Sequence, residues 1–178
     1  MAFLDSLRRL FSSKQEDAPA DESNSMDLDD IWKITDQTDF LIAINERLNE
    51  RTEYGDHIER LSAEEQVFYI CNTLMEEVNN GGFDQFLYNS SGDHAHRVEE
   101  CLRIIGANKT ADICHTAFAA FGKPIPQERN RREKFLDKME SEETSDILSA
   151  CDDQFYEYPD PLEELCYQYI VAHKSKFS

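Results

Sequence analysis

A helical chain that reaches Asn79-Asn80-Gly81-Gly82 has to turn, and it has to turn again at Asn89-Ser90-Ser91-Gly92-Asp93. Glycine and asparagine accept the left-handed backbone found at helix C-termini, so each cluster is a stop signal. Between them, Phe83 to Tyr88 has room for one short helix, with Phe83, Phe86 and Tyr88 as its aromatic side chains. Upstream, Ser62-x-x-Glu65 is a capping box. It opens a helix whose inner face is Val67, Phe68, Cys71, Leu74, Met75 and Val78. Downstream, Asp93 is placed to cap a helix that turns Val98, Cys101, Leu102 and Ile105 inward and ends at Gly106.

Apolar residues keep the same helical spacing in the rest of the chain. Phe40, Leu41, Ile44 and Leu48 form one face, ended by Tyr54-Gly55. Ala111, Ile113, Cys114, Ala117, Phe118 and Phe121 form another, ended by Gly122 with Pro124 and Pro126 beyond. A charged helix is expected from Gln127 to Met139, where Glu128–Arg132 and Arg129–Glu133 are spaced to neutralise one another. Ile147, Leu148, Cys151, Phe155 and Tyr156 mark a further helix. Asp160-Pro161-x-Glu163 reads as the start of the last one, with Leu162, Leu165, Cys166, Tyr169 and Ile170 buried. No strand alternation or repeat is present. The expected fold is all-α: a single compact multi-helix domain of about seven helices over residues 31–178. Ahead of it lie an amphipathic segment, 1–13, with Phe3, Leu4, Leu7, Leu10 and Phe11 on one face, and an acidic disordered linker, 14–30.

Charge narrows the classes of partner. The 37 acidic residues outnumber the 18 basic ones, for a formal net charge of -19. A surface of that sign repels nucleic acid and anionic membranes and attracts basic proteins and cations. Direct nucleic-acid binding is therefore not expected. No apolar run approaches transmembrane length, so integral membrane association is not expected either. The five cysteines, Cys71, Cys101, Cys114, Cys151 and Cys166, are odd in number and lack a Cys-x-x-Cys pair. Their apolar, helical settings read as reduced core thiols in a reducing, cytoplasmic compartment.

Catalytic and metal motifs are scarce. Asp93-His94-x-His96 has two imidazoles two residues apart, which diverge on a helix. No metal site or cofactor is expected. Glu76-Glu77 with Asn79 and Asn80 forms a hydrolase-like set, since paired carboxylates in a cleft separate their proton affinities. The asparagines, however, already have a role as turn residues. The strongest surface signal lies between Lys138 and Lys174, where the chain has no lysine or arginine. It has instead Glu140, Glu142, Glu143, Asp146, Asp152, Asp153, Glu157, Asp160, Glu163 and Glu164. Carboxylates three or four apart share a helix face, and such rows imitate a phosphate track or simply solvate the helix.

The run Glu77 to Gly92, with Leu102-x-x-Ile105-Gly106-Ala107 after it, resembles the DNA-mimic-protein C-terminal domain family, over about Leu61 to Phe121 and more weakly to Phe177. The resemblance implies an all-helical bacterial protein without enzymatic activity, whose named type is acidic, self-associates as a homodimer would, and blocks a DNA-binding transcription regulator. Asn79, Asn80, Gly81, Gly82, Phe83, Phe86, Tyr88 and Gly92 would then be structural, and the ten acids would carry partner binding. An immunity-type or housekeeping protein-binding module without mimicry, and the hydrolase, are the alternatives.

Overall fold

The computed structural model describes residues 26–178. The amphipathic segment 1–13 and most of the linker 14–30 lie outside the described residues. Among these there are eight α-helices and no strand: α1 Leu28–Ile31, α2 Gln37–Arg51, α3 Ala63–Tyr88, α4 Ala95–Ile105, α5 Asn108–Ala119, α6 Arg129–Met139, α7 Glu142–Tyr156 and α8 Leu162–Ala172. The all-α expectation holds. Helical structure begins slightly earlier than expected, because the Asp27 carboxylate accepts from Asp29 N and starts α1 inside the expected linker.

α3 is the axis of the domain. Val67, Phe68, Tyr69, Ile70, Cys71 and Asn72 are six consecutive buried residues. A helix buried on every side has to be surrounded, and α2, α4, α6, α7 and α8 all pack against α3. Its inner face is thus wider than the stripe read from spacing, which omitted Tyr69 and Ile70. α5 closes the core from outside by packing on α4 and α7.

The capping box forms as expected: Ser62 Oγ accepts from Glu65 N at 3.1 Å, and Glu65 Oε2 accepts from Ser62 N at 2.8 Å. Glu65 is also wholly buried, paired with Arg51 and accepting from Ser178 N at 3.0 Å. Burial raises its proton affinity, but these donors outweigh burial and hold its pKa below the usual glutamate value. The same carboxylate therefore starts α3, ties α2 to it and anchors Ser178, beside Phe177, whose ring is buried with its edge toward Phe68.

Three sequence-derived pairings are replaced. Asp93 does not cap α4. A 3-10 turn, Ser90–His94, intervenes, and the residue before α4 makes no side-chain cap. Asp160 does not cap α8. Its Oδ2 accepts from Thr110 N at 2.8 Å and Thr110 Oγ1 at 3.1 Å, so it caps α5 across space. Arg132 does not pair with Glu128, which instead accepts from Asn130 N and Arg131 N at the start of α6. In each case a helix arriving from elsewhere in the chain supplies a better partner than the neighbour in sequence. Arg129–Glu133 does form, at 3.0 Å.

Candidate functional site

The corner after Val78 is assembled from four helices, α3, α5, α6 and α7. Gly82 has φ 75 and ψ -175, a backbone region essentially restricted to glycine, and it splits α3 into two axes. Gly81, at φ -162 and ψ 27, is also non-helical but has no positive φ. The broken ladder exposes donors and acceptors, and α7 satisfies them. Asp152 Oδ1 accepts from Phe83 N at 2.8 Å, and Tyr156 Oη donates to Val78 O at 2.9 Å. Tyr158 Oη donates to Asn79 Oδ1 at 2.9 Å. Glu77 Oε2 accepts from Gln85 Nε2 at 2.7 Å and from Asn89 Nδ2 at 2.9 Å, closing the corner from inside. Phe83 meets Phe118 and Phe155 edge-on, and Phe86 stacks on Phe118. Tyr88 Oη donates to Asp137 Oδ1 at 2.6 Å, and this bond, ahead of burial, pushes the phenol up to about 12.

The second half of the corner is held by Arg132, which is 0% exposed. Its Nε donates to Leu87 O at 2.6 Å, its Nη2 to Asn89 O at 2.8 Å and its Nη1 to Gln127 O at 2.5 Å. Nη1 also lies 2.7 Å from Asp93 Oδ1, as an ion pair outside hydrogen-bond geometry. Gly92 makes room for this group, since a Cβ there would stand 2.6 Å from Arg132 Nε and 2.7 Å from Leu87 O. The sequence reading missed this clamp because Arg132 sits in a run of basic residues with no local mark distinguishing it from Arg129 and Arg131.

The ten acids after Met139 divide into two groups. Glu140, Glu142, Glu143, Asp146, Asp153, Glu157 and Glu164 are exposed; Asp152, Asp160 and Glu163 are partly buried. Asp152 and Asp160 use their oxygens on Phe83 and Thr110, inside the fold. Burial raises the pKa of both Asp152 and Glu163. Among the described residues, no salt bridge involves a carboxylate between Glu140 and Glu164. At about 100° per residue, Glu142, Asp153, Asp146, Glu157 and Glu143 fall within roughly 100° of one another around α7 and its C-cap. They extend over about 22 Å of axis.

Of the hydrolase-like set, Glu76 and Glu77 line one cleft and Asn79 and Asn80 do not. Glu77 accepts from Gln85 and Asn89, Asn80 donates to Gln85, Asn79 accepts from Tyr158, and Glu76 is bonded to α2 through Asn45. Glu76 Oε1 accepts from Asn45 Nδ2 at 2.9 Å and Asn72 Nδ2 at 2.8 Å. Burial pushes its pKa up to about 7 and the nearby Glu77 charge adds to the rise, against the two amide donors. Because the folded state holds this proton more tightly than the unfolded chain does, the stabilisation is complete below about pH 4.5 and is lost as pH rises through about 7. E76Q keeps an acceptor for both amides and removes the titration. Its stability relative to wild type should rise by on the order of 2 kcal/mol between pH 4.5 and pH 8 in urea unfolding. A difference that does not change with pH would contradict this reading of Glu76.

Among the described residues, no group of three or more His, Cys, Asp or Glu side chains is placed to hold a metal ion. His94 and His96 lie on opposite sides of the junction between the 3-10 turn and α4. All five cysteines are free and buried. No described helix is long and apolar enough to cross a membrane.

A family model described as DMP19-like protein matches residues 59–173, from the 3-10 turn ahead of α3 to the end of α8. No curated protein and no solved structure matches the chain.

Proposed function

The chain belongs to the DMP19-like protein family, and from that premise we propose that it acts without a chemical step of its own, as a DNA mimic that occupies the basic face of a DNA-binding regulator. The observation that carries this reading is the α7 stripe. Glu142, Glu143, Asp146, Asp153 and Glu157 are exposed, have no cationic partner among the described residues, and stand on one side of a rigid helix. One DNA strand presents a phosphate every 3.4 Å of axis, and the five carboxylates run along about 22 Å of axis at a wider and uneven spacing, about 5–6 Å on average. α7 is held in place by the bonds it makes to the Gly82 corner, so the row does not have to be ordered on binding. An ordered row supports mimicry over a protein-binding module with scattered acids. The free, buried thiols fit a reducing cytoplasm.

The test is affinity capture with the full chain from its native host at low salt, eluting with duplex DNA or with salt in parallel. We expect a DNA-binding protein to be released by DNA and by moderate salt, because exposed charge pairs are screened within about 8–10 Å. E142Q/E143Q/D146N/D153N should capture at least about tenfold less of it. Equal capture by that variant, or a partner that binds DNA and this chain at once, would refute mimicry.

A further inference from the structure

We propose that the cleft between the C-terminal end of α2, the middle of α3 and the Ser90–His94 turn is a binding site for a small organic cation bearing an ammonium or guanidinium group. The cleft has a volume of about 360 Å³. That lies in the range of sites for small ligands. Its lining uses none of the residues of the α7 stripe.

Carboxylates dominate its lining, and burial lowers the pKa of His94, the one imidazole there. Asp56, Glu76, Glu77 and Asp93 line it, and no lysine or arginine does. Asp93 already has Arg132. The other three have no salt bridge among the described residues, and Glu76 is bonded by Asn45 and Asn72 through Oε1 alone. Its second oxygen has no protein donor there. A carboxylate held by two amides in a partly desolvated cleft is preorganised for a cation, because the cost of orienting it has been met by folding. Burial of Glu76 with no cation nearby also accounts for its tight hold on a proton, a charge that a bound cation would replace.

The walls select for an organic cation. Tyr69 is buried, its hydroxyl donating to Asn49 Oδ1 at 3.0 Å, and with Ile58 it supplies apolar and aromatic surface for a carbon chain or a planar guanidinium. The acids are spread around the cleft, and no three of the described His, Cys, Asp or Glu groups converge as metal ligands would. Tyr54 and Gly55 line it at φ 60 and 99, directly after Glu53 at φ 53. Left-handed backbone at two non-glycine residues in a row is held only by its surroundings. Here Thr52 Oγ1 accepts from Gly55 N at 3.0 Å.

The experiment is calorimetric titration of the full chain with agmatine at 150 mM salt, with spermidine as a second probe. We expect saturable binding of one agmatine per chain, weakened about tenfold or more by E76Q, through loss of a charge-assisted contact. T73F, which fills the cleft from α3 without changing net charge, should abolish it. E142Q/E143Q, on the α7 stripe, should leave it within about twofold. Thermal unfolding of each variant without ligand separates loss of the site from loss of the fold. Three results would overturn the proposal: no binding at millimolar agmatine, unsaturable uptake that E142Q/E143Q reduces as much as E76Q does, or wild-type affinity in folded T73F. The last two would mark a counter-ion atmosphere around an acidic protein. None of these outcomes touches the α7 row, so this site and the proposed mimicry stand or fall separately.

Discussion

R132M should lower the unfolding free energy by about 3–5 kcal/mol, the range for breaking a buried charge network by removing one member. For a chain of this size that is a fall of roughly 6–20 °C in Tm. The guanidinium of Arg132 is fully buried and serves Leu87 O, Asn89 O and Gln127 O as well as the Asp93 carboxylate. Methionine fills part of the volume and donates nothing. Three carbonyls at the C-terminal end of α3 and ahead of α6 would then lack their donor, and buried polar groups without partners cost about 1–3 kcal/mol each when water cannot replace the bond. R132K keeps the charge but cannot fork to three carbonyls, and should recover less than half of the loss. Urea unfolding of the two variants beside wild type measures both. If R132M unfolds within about 1 kcal/mol of wild type, the clamp contributes little and the corner is held by its aromatic packing alone.

G82A should cost about 3 kcal/mol, whereas G81A, one residue away, should cost about 1 kcal/mol. The two glycines are equivalent in sequence and different in the fold. Gly82 has φ 75 with ψ -175, and a Cβ there would collide with the Asp152 carboxylate that accepts from Phe83 N. Alanine therefore adds backbone strain and pushes away the group that caps the second half of α3. Gly81 has φ -162, which any residue adopts, and a Cβ there meets the side chain of Gln85, which can move. Urea unfolding of both single variants and of G82A/D152A decides the point. The double variant should fall about 1 kcal/mol short of the sum of the single losses, since each removes part of the same contact. Equal costs at the two glycines would mean that neither the collision nor the backbone angle matters.

Much of this fold is legible in the amino-acid sequence. The capping box at Ser62 and Glu65 forms, and Gly106 takes the left-handed conformation at φ 90 that ends α4. Both depend on residues within one helical turn of each other, where geometry leaves few choices. The Asn-Asn-Gly-Gly segment was legible as a break, but its mechanism was not. Both glycines leave the helical region at the break, only Gly82 at a positive φ, in a conformation different from a left-handed helix end, and the break needs Asp152 from α7. The candidate site was legible in its charge, since exposed acids stay exposed on a helix with one buried face. It was not legible in its membership, because Asp152 and Asp160 differ from Asp153 only in what lies opposite them. The Glu76 cleft was hidden for the same reason: its walls come from segments that sequence spacing does not relate.

Helices, their breaks and the acidity of the surface follow from local chemistry: apolar periodicity, side-chain bonds to a backbone group within a turn, and ionisation. Partner choice for the polar side chains does not. Arg132 reaches Leu87 across 45 residues, Asp160 reaches Thr110 across 50, Asp152 reaches Phe83 across 69, and Glu65 reaches Ser178 across 113. Each of these groups also had a reasonable role in its own neighbourhood, as a cap, an ion pair or a solvated charge. Burial broke the tie: once α3 is enclosed by five helices, every donor and acceptor exposed at its kink must be met by whichever helix has been packed beside it.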